Sequence, residues 1–124
     1  MTISIDFDGT LVTHEYPNIG KDIGAFDILK KLQDKGIKLI LLTMRDNKEL
    51  DDAVEYVTSK GIELYGINDN PSQHSWTNSR KVYADLYIDD QFLGIPLKYD
   101  ENLCSKPYVD WKKVEQYLID NNIL

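Results

Sequence analysis

The chain holds one cysteine, Cys104, so no disulfide can form within it, which suits a reducing compartment. Its two histidines, His14 and His74, are far apart, which argues against a histidine-based metal site. Nowhere does an apolar run approach the roughly 20 residues that span a bilayer. Basic residues are outnumbered: 14 Lys+Arg against 21 Asp+Glu leave a formal charge of −7. That balance speaks against sequence-independent binding to nucleic acid or to an anionic membrane, both of which need clustered cations. Repeats, low-complexity tracts and Gly/Ser linkers are absent. Met1–Leu11 has no basic region and acquires charge at Asp6, unlike a secretory signal, so the expected location is cytoplasmic. The 124 residues, 42% hydrophobic and 28% charged, fit a single globular domain over 1–124.

Short apolar runs alternate with amphipathic stretches. Ile3–Phe7 reads as a strand ending in a turn at Asp8-Gly9. Ile23, Phe26, Leu29 and Leu32 recur at helical spacing, and Lys35-Gly36 stops that helix. Ile37–Leu42 is a strand buried on both faces. Leu50, Ala53, Val54 and Val57 mark a second helix, closed by Lys60-Gly61, and Ile62–Ile67 a third strand. The polar segment 68–79 reads as a loop with room for one helical turn. Leu86–Ile88 is a fourth strand, Ile95–Tyr99 a candidate fifth, and Trp111, Val114 and Leu118 share one face of a last helix. The expected fold is therefore α/β: a three-layer, Rossmann-like α/β/α domain around a parallel sheet of about five strands.

Ligands of such sheets sit at the carboxyl ends of the strands. The polar residues there are Asp6 and Asp8, Thr43, and Asp89-Asp90, with Lys81 ahead of the fourth strand. Residues two apart in an extended segment point the same way, so Asp6 and Asp8 can face one site. Close carboxylates repel each other unless a cation neutralises them. An all-oxygen set from Asp6, Asp8, Asp89 and Asp90 suits a hard divalent ion, Mg²⁺ above all. Thr43 and Lys81 would supply a donor and a charge for phosphoryl oxygens. Arg45, two residues beyond Thr43, is a further candidate for a substrate phosphate, though it reads as readily as a solvated loop arginine. Taken singly, each of these residues has an ordinary explanation in turns, caps or solvated surface. Jointly they make a set complete for phosphoryl transfer.

That arrangement resembles the haloacid dehalogenase (HAD) superfamily of phosphohydrolases. Asp6-Phe7-Asp8-Gly9-Thr10-Leu11 is similar to its first motif, Leu41-Leu42-Thr43 to the second, Lys81 to the third and Tyr87-Ile88-Asp89-Asp90 to the fourth. The resemblance spans residues 1 to about 90 in the family's order. It implies that Asp6 attacks phosphorus to form an aspartyl-phosphate. Asp8 would protonate the leaving oxygen and then activate water. Mg²⁺ would be held by the Asp6 carboxylate, the Asp8 carbonyl and an aspartate of the fourth motif, with Asp89 favoured over Asp90. Thr43 and Lys81 would bind the phosphoryl group. The two stretches where the family inserts cap domains, Gly9–Asp22 and Asn68–Ala84, are too short to fold alone, so a capless HAD-like domain is expected. Water exclusion would rest on a flap around His14, Glu15, Tyr16 and Pro17.

The implied activity is Mg²⁺-dependent hydrolysis of a phosphomonoester, on a phosphorylated small molecule or the exposed phosphate end of a larger substrate. A homo-oligomer that closes the open site is compatible with it. The rivals are a receiver-like signalling domain and a catalytically idle domain that binds a phosphorylated ligand. Receivers place their paired acids after the first strand and their lysine after the last; the order here is the reverse. Tyr16 and Trp76 are loop aromatics able to stack on a substrate, and Cys104 reads as structural.

Overall fold

The computed structural model describes all of residues 1–124. Four parallel strands form the central sheet: β1 (Thr2–Ile5), β2 (Lys38–Leu41), β3 (Leu64–Ile67) and β4 (Leu86–Ile88), in the order β3-β2-β1-β4. Three helices accompany it: α1 (Ala25–Asp34), α2 (Asn47–Ser59) and α3 (Trp111–Asp120). This is an α/β fold of Rossmann-like character.

Each element follows its apolar pattern. Phe26, Leu29 and Leu32 bury one stripe of α1, and the helix ends where Gly36 takes a φ of 81°. Leu39, Ile40 and Leu41 are all buried, as a central strand requires. The Asp110 side chain accepts a hydrogen bond from the Lys113 N–H and caps α3.

Register then sorts residues between the two faces of the sheet. Ile3 and Ile5 pair with Leu39 and Leu41 on one side and with Leu86 and Ile88 on the other. These residues join the buried side chains of all three helices in one hydrophobic core. Both β1–α1–β2 and β2–α2–β3 step the same way along the sheet, so right-handed crossovers place α1 and α2 on one face. Opposite lie Ser4, Ile40, Gly66 and Tyr87. That face is covered by the loop between β3 and β4, not by helices. Gly66 sits under the Asp69 carbonyl with no room for a Cβ, and the Tyr87 hydroxyl donates to the Val82 carbonyl at 2.5 Å. The loop contains one 3-10 turn, Pro71–Gln73. The expected second helical layer is thus replaced by a polar loop, because residues 68–84 offer no apolar stripe to lay on the sheet.

The candidate fifth strand forms, but elsewhere. β5 (Leu97–Lys98) pairs antiparallel with β6 (Tyr108–Val109), apart from the central sheet. Residues 89–96 are too few for a parallel crossover, which needs roughly a dozen residues or more. β4 therefore remains an edge strand. No helix is long and apolar enough to cross a membrane.

The C-terminal segment braces the first motif. Val109 donates its N–H to the Gly9 carbonyl (3.0 Å), and the Trp111 indole donates to the Thr10 carbonyl (2.6 Å). Trp111→Phe leaves that buried carbonyl without its donor and should lower unfolding free energy by about 2 kcal/mol or more. Urea denaturation measures this; a loss below ~0.5 kcal/mol would show that the indole does not brace the loop.

Candidate active site

Asp6 follows the last residue of β1, and its N–H donates to the Ile88 carbonyl of β4. This ties the end of β1 to the strand that delivers Asp89 and Asp90. The chain then turns at once: the N–H groups of Thr10 and Leu11 donate back to the Phe7 carbonyl. Gly9 makes the turn possible, for two reasons. Its φ is 79°, and a Cβ there would stand 2.1 Å from His14 Nε2 and 2.6 Å from Asp90 Oδ2.

The turn brings three carboxylates together. Oxygens of Asp6, Asp89 and Asp90 all lie within 4.8 Å of one another. Thr10, fully buried, ties two of them: its hydroxyl contacts Asp6 Oδ2 at 3.0 Å and accepts the Asp90 N–H at 3.0 Å. Asp90 is engaged again by His14, whose Nε2 lies 2.7 Å from Oδ2. The Asp89 side chain accepts one hydrogen bond, from the backbone N–H of Gln91, just as the Asp6 side chain accepts one from Thr10. Neither Asp6 nor Asp89 has a Lys, Arg or His nitrogen within 4.0 Å.

Asp8, expected in the same cluster, does not join it with its side chain. Its carboxylate is gripped in a two-toothed fork by Arg45, with Nε to Oδ2 and Nη2 to Oδ1 both at 2.8 Å. Arg45 is neither solvated nor free for a phosphate: it is buried, and Nη1 and Nη2 also donate to the carbonyls of Pro17, Asn18 and Glu49.

Thr43 stands beyond the carboxyl end of β2, the strand beside β1. Its N–H donates to the Asn68 side chain (2.7 Å), and its hydroxyl accepts the Arg45 N–H (3.2 Å), leaving the hydroxyl proton available. Lys81 is exposed, makes no ion pair, and lies with its ammonium 5.8 Å from the Tyr87 ring centroid. The structure thus gathers Asp6, Asp89 and Asp90, sets Thr43 on the neighbouring strand end, and leaves Lys81 outside the acidic group. Tyr16 is exposed over Arg45, and Trp76 packs edge-on against Tyr83. Cys104 is buried, with its thiol toward the His14 carbonyl (3.6 Å).

Thr10, inside the first motif, and His14, in the flap, are the two site residues whose contacts with the carboxylates chain order did not assign. Thr10 lies four residues past Asp6 in a Gly turn, the only visible signal for its hydroxyl reaching back. For His14 the signal is weaker still, since its partner Asp90 is distant in sequence.

No family model and no curated protein matches the chain. A solved structure of a conserved protein from Bacteroides thetaiotaomicron is 39% identical, covers 98% of this chain and 91% of that one, and superposes with a TM-score of 0.78. The chain belongs to the family of that conserved protein. The shared fold sets where the strands end; the chemistry has to be read from the residues on those ends.

Burial, then the charges of Asp89 and Asp90, raise the Asp6 carboxyl to about 8. Burial chiefly, with Asp90 beside it, also raises Asp89. By itself the cluster therefore keeps a proton on Asp6. The donors are all oxygen and the charge is dense, which fits Mg²⁺. The sign of the pH effect follows. Unfolded, Asp6 releases its proton near the ordinary 3.8; folded, it keeps it to about 8. The folded chain binds more protons in between, so stability in EDTA should fall as pH rises from about 5 to about 8. Mg²⁺ should flatten that slope, and Asp6→Asn should remove most of it. Thermal denaturation across pH tests this. A slope unchanged in Asp6→Asn would place the titrating group elsewhere.

Proposed function

We propose that the protein is a capless, Mg²⁺-dependent phosphohydrolase of the haloacid dehalogenase type, acting on a phosphomonoester in the cytoplasm. The observation that carries this reading is the convergence of Asp6, Asp89 and Asp90 within 4.8 Å on adjacent strand ends, with Thr43 on the next. The fit of Asp-Phe-Asp-Gly-Thr to a motif whose glycine is sterically required supports it.

Asp6 is the nucleophile. Its carboxylate oxygen forms a bond to phosphorus while the bond from phosphorus to the ester oxygen breaks. Asp8, protonated at the start of the cycle, gives that proton to the departing oxygen, and Arg45 holds the carboxylate that remains. Asp8 then takes a proton from water, whose oxygen attacks phosphorus and frees Asp6 and inorganic phosphate. Asp6, Asp89 and Asp90 would hold Mg²⁺, with Asp89 as the direct ligand because the Asp90 carboxylate is already engaged by His14. When bound, the ion neutralises the carboxylates and the phosphoryl oxygens they approach. Thr43 donates its hydroxyl proton to a phosphoryl oxygen, and Lys81 reaches in from its exposed position when phosphate arrives. His14 of the flap lies against the cluster, and with no cap domain in the chain the site would admit a small phosphate ester or a phosphorylated polymer end.

A second reading, a regulator that binds phosphorylated ligands without turnover, draws on two observations: Asp8 is tied to Arg45, and Lys81 stands off the cluster. Phosphate release from nucleotides, sugar phosphates and phosphate-ended oligonucleotides decides between the two. The native protein should release phosphate only with Mg²⁺ present. Asp6→Asn should be inactive with its fold intact. Asp8→Asn should lose roughly 10² to 10⁴ in turnover. Activity in Asp6→Asn would refute the nucleophile, and turnover in EDTA would refute the metal site.

A further inference from the structure

We infer that Arg45 is a positioning residue: one buried guanidinium that holds Asp8 and the flap over residues 14–18 in a single arrangement. The inference rests on Asp8 being the acid/base of the proposed reaction.

An arginine side chain has five N–H donors and no acceptor. All five are taken here. Two go to the Asp8 carboxylate, two to the flap carbonyls of Pro17 and Asn18, and one to the Glu49 carbonyl of α2. The side chain is 1% exposed. Its guanidinium carbon lies 4.9 Å from the Phe7 ring centroid and 5.2 Å from that of Tyr16. Phe7 sits between the two aspartates of the first motif, and Tyr16 is in the flap. A buried guanidinium is stable only while its donors and its charge are matched. Turning it toward a substrate phosphate would strand a carboxylate and three carbonyls. The backbone N–H of the same residue holds the Thr43 hydroxyl. Arg45 therefore links the end of β1, the flap, the end of β2 and the start of α2.

A phosphate ligand and a positioning residue fail differently when removed. Loss of a ligand raises KM; misplacement of Asp8 lowers kcat. The experiment compares the full-length native protein with Arg45→Lys, Asp8→Ala and the double variant. Lysine keeps the charge but cannot form the fork. Hydrolysis of p-nitrophenyl phosphate gives kcat and KM, and inorganic phosphate is the competitive inhibitor. Hydrogen–deuterium exchange follows residues 13–21, and circular dichroism checks the fold.

Arg45→Lys should lose about 10²-fold in kcat, the scale of a small misplacement of a reacting group. KM and phosphate inhibition should stay within about 3-fold. The double variant should be no slower than Asp8→Ala alone, because both changes remove one function. The flap should exchange about 10-fold faster or more in both single variants.

A raised KM with weaker phosphate inhibition and an intact kcat would make Arg45 a substrate ligand and overturn the inference. So would losses that multiply in the double variant, or a flap whose exchange does not change. Should Arg45→Lys fail to fold, Asp8→Ala carries the exchange measurement with the same criterion. Should the native protein release no phosphate, the phosphohydrolase reading falls, and flap exchange alone decides whether Arg45 holds Asp8 and the flap together.

Discussion

Most of this site depends on one tight turn, Phe7 to Val12, and on the space Gly9 leaves inside it. Because Gly9 has no side chain and takes a positive φ, the His14 imidazole and the Asp90 carboxylate can occupy the volume a Cβ would fill. The turn is then bonded from three directions. Asp90 reaches it from β4 through Thr10, and His14 folds over it from the flap. Val109 and Trp111 bond its carbonyls from the C-terminal segment. None of these partners is near the turn in sequence except His14. A side chain at position 9 would push out the acidic residue that completes the cluster.

The cost of that convergence is electrostatic. Three carboxylates are brought close, two of them with raised pKa values, and neither Asp6 nor Asp89 forms an ion pair within the chain. Asp8, from the same loop, is treated in the opposite way: a buried arginine matches it tooth for tooth. Two aspartates two residues apart thus sit in contrasting surroundings, one poor in positive charge and one saturated with it. Contrasting environments for neighbouring carboxylates are how a site gives them different tasks. In the proposed reaction, the uncompensated aspartate attacks and the clamped one moves protons.

The chain beyond Asp90 carries no motif, yet it shapes the site indirectly. The β5–β6 pair and the segment between them bring Leu103 and Cys104 against the flap. Lys21 donates to the Leu103 carbonyl, and the Cys104 thiol faces the His14 carbonyl. With the Val109 and Trp111 bonds, this makes the last 35 residues or so a buttress for the first 22. The β3–β4 loop does comparable work on the opposite face of the sheet, where Asn70 and Gln73 are buried and bond to the loop's own backbone.

Local pattern alone determined the helices, the four parallel strands and the first motif. Periodicity of Phe26, Leu29 and Leu32, the unbroken apolar run of β2, and Gly36 and Gly61 after the helices are signals carried by neighbouring residues. The fold class and the grouping of strand-end aspartates follow from these, since a parallel sheet places its carboxyl ends on one rim. Tertiary structure decided the rest. Arg45 read equally well as a phosphate ligand or a solvated residue, and the structure buries it in a fork to Asp8 that spans 37 positions in sequence. The fifth strand left the parallel sheet because the chain before it is too short to cross over. The second helical layer became a loop because residues 68–84 have no apolar face. The Arg45 fork is a contact between segments far apart in the chain, which no local spacing encodes; the other two outcomes follow from the length and polarity of a segment, whose consequence appears only once the sheet it must join or cover is in place.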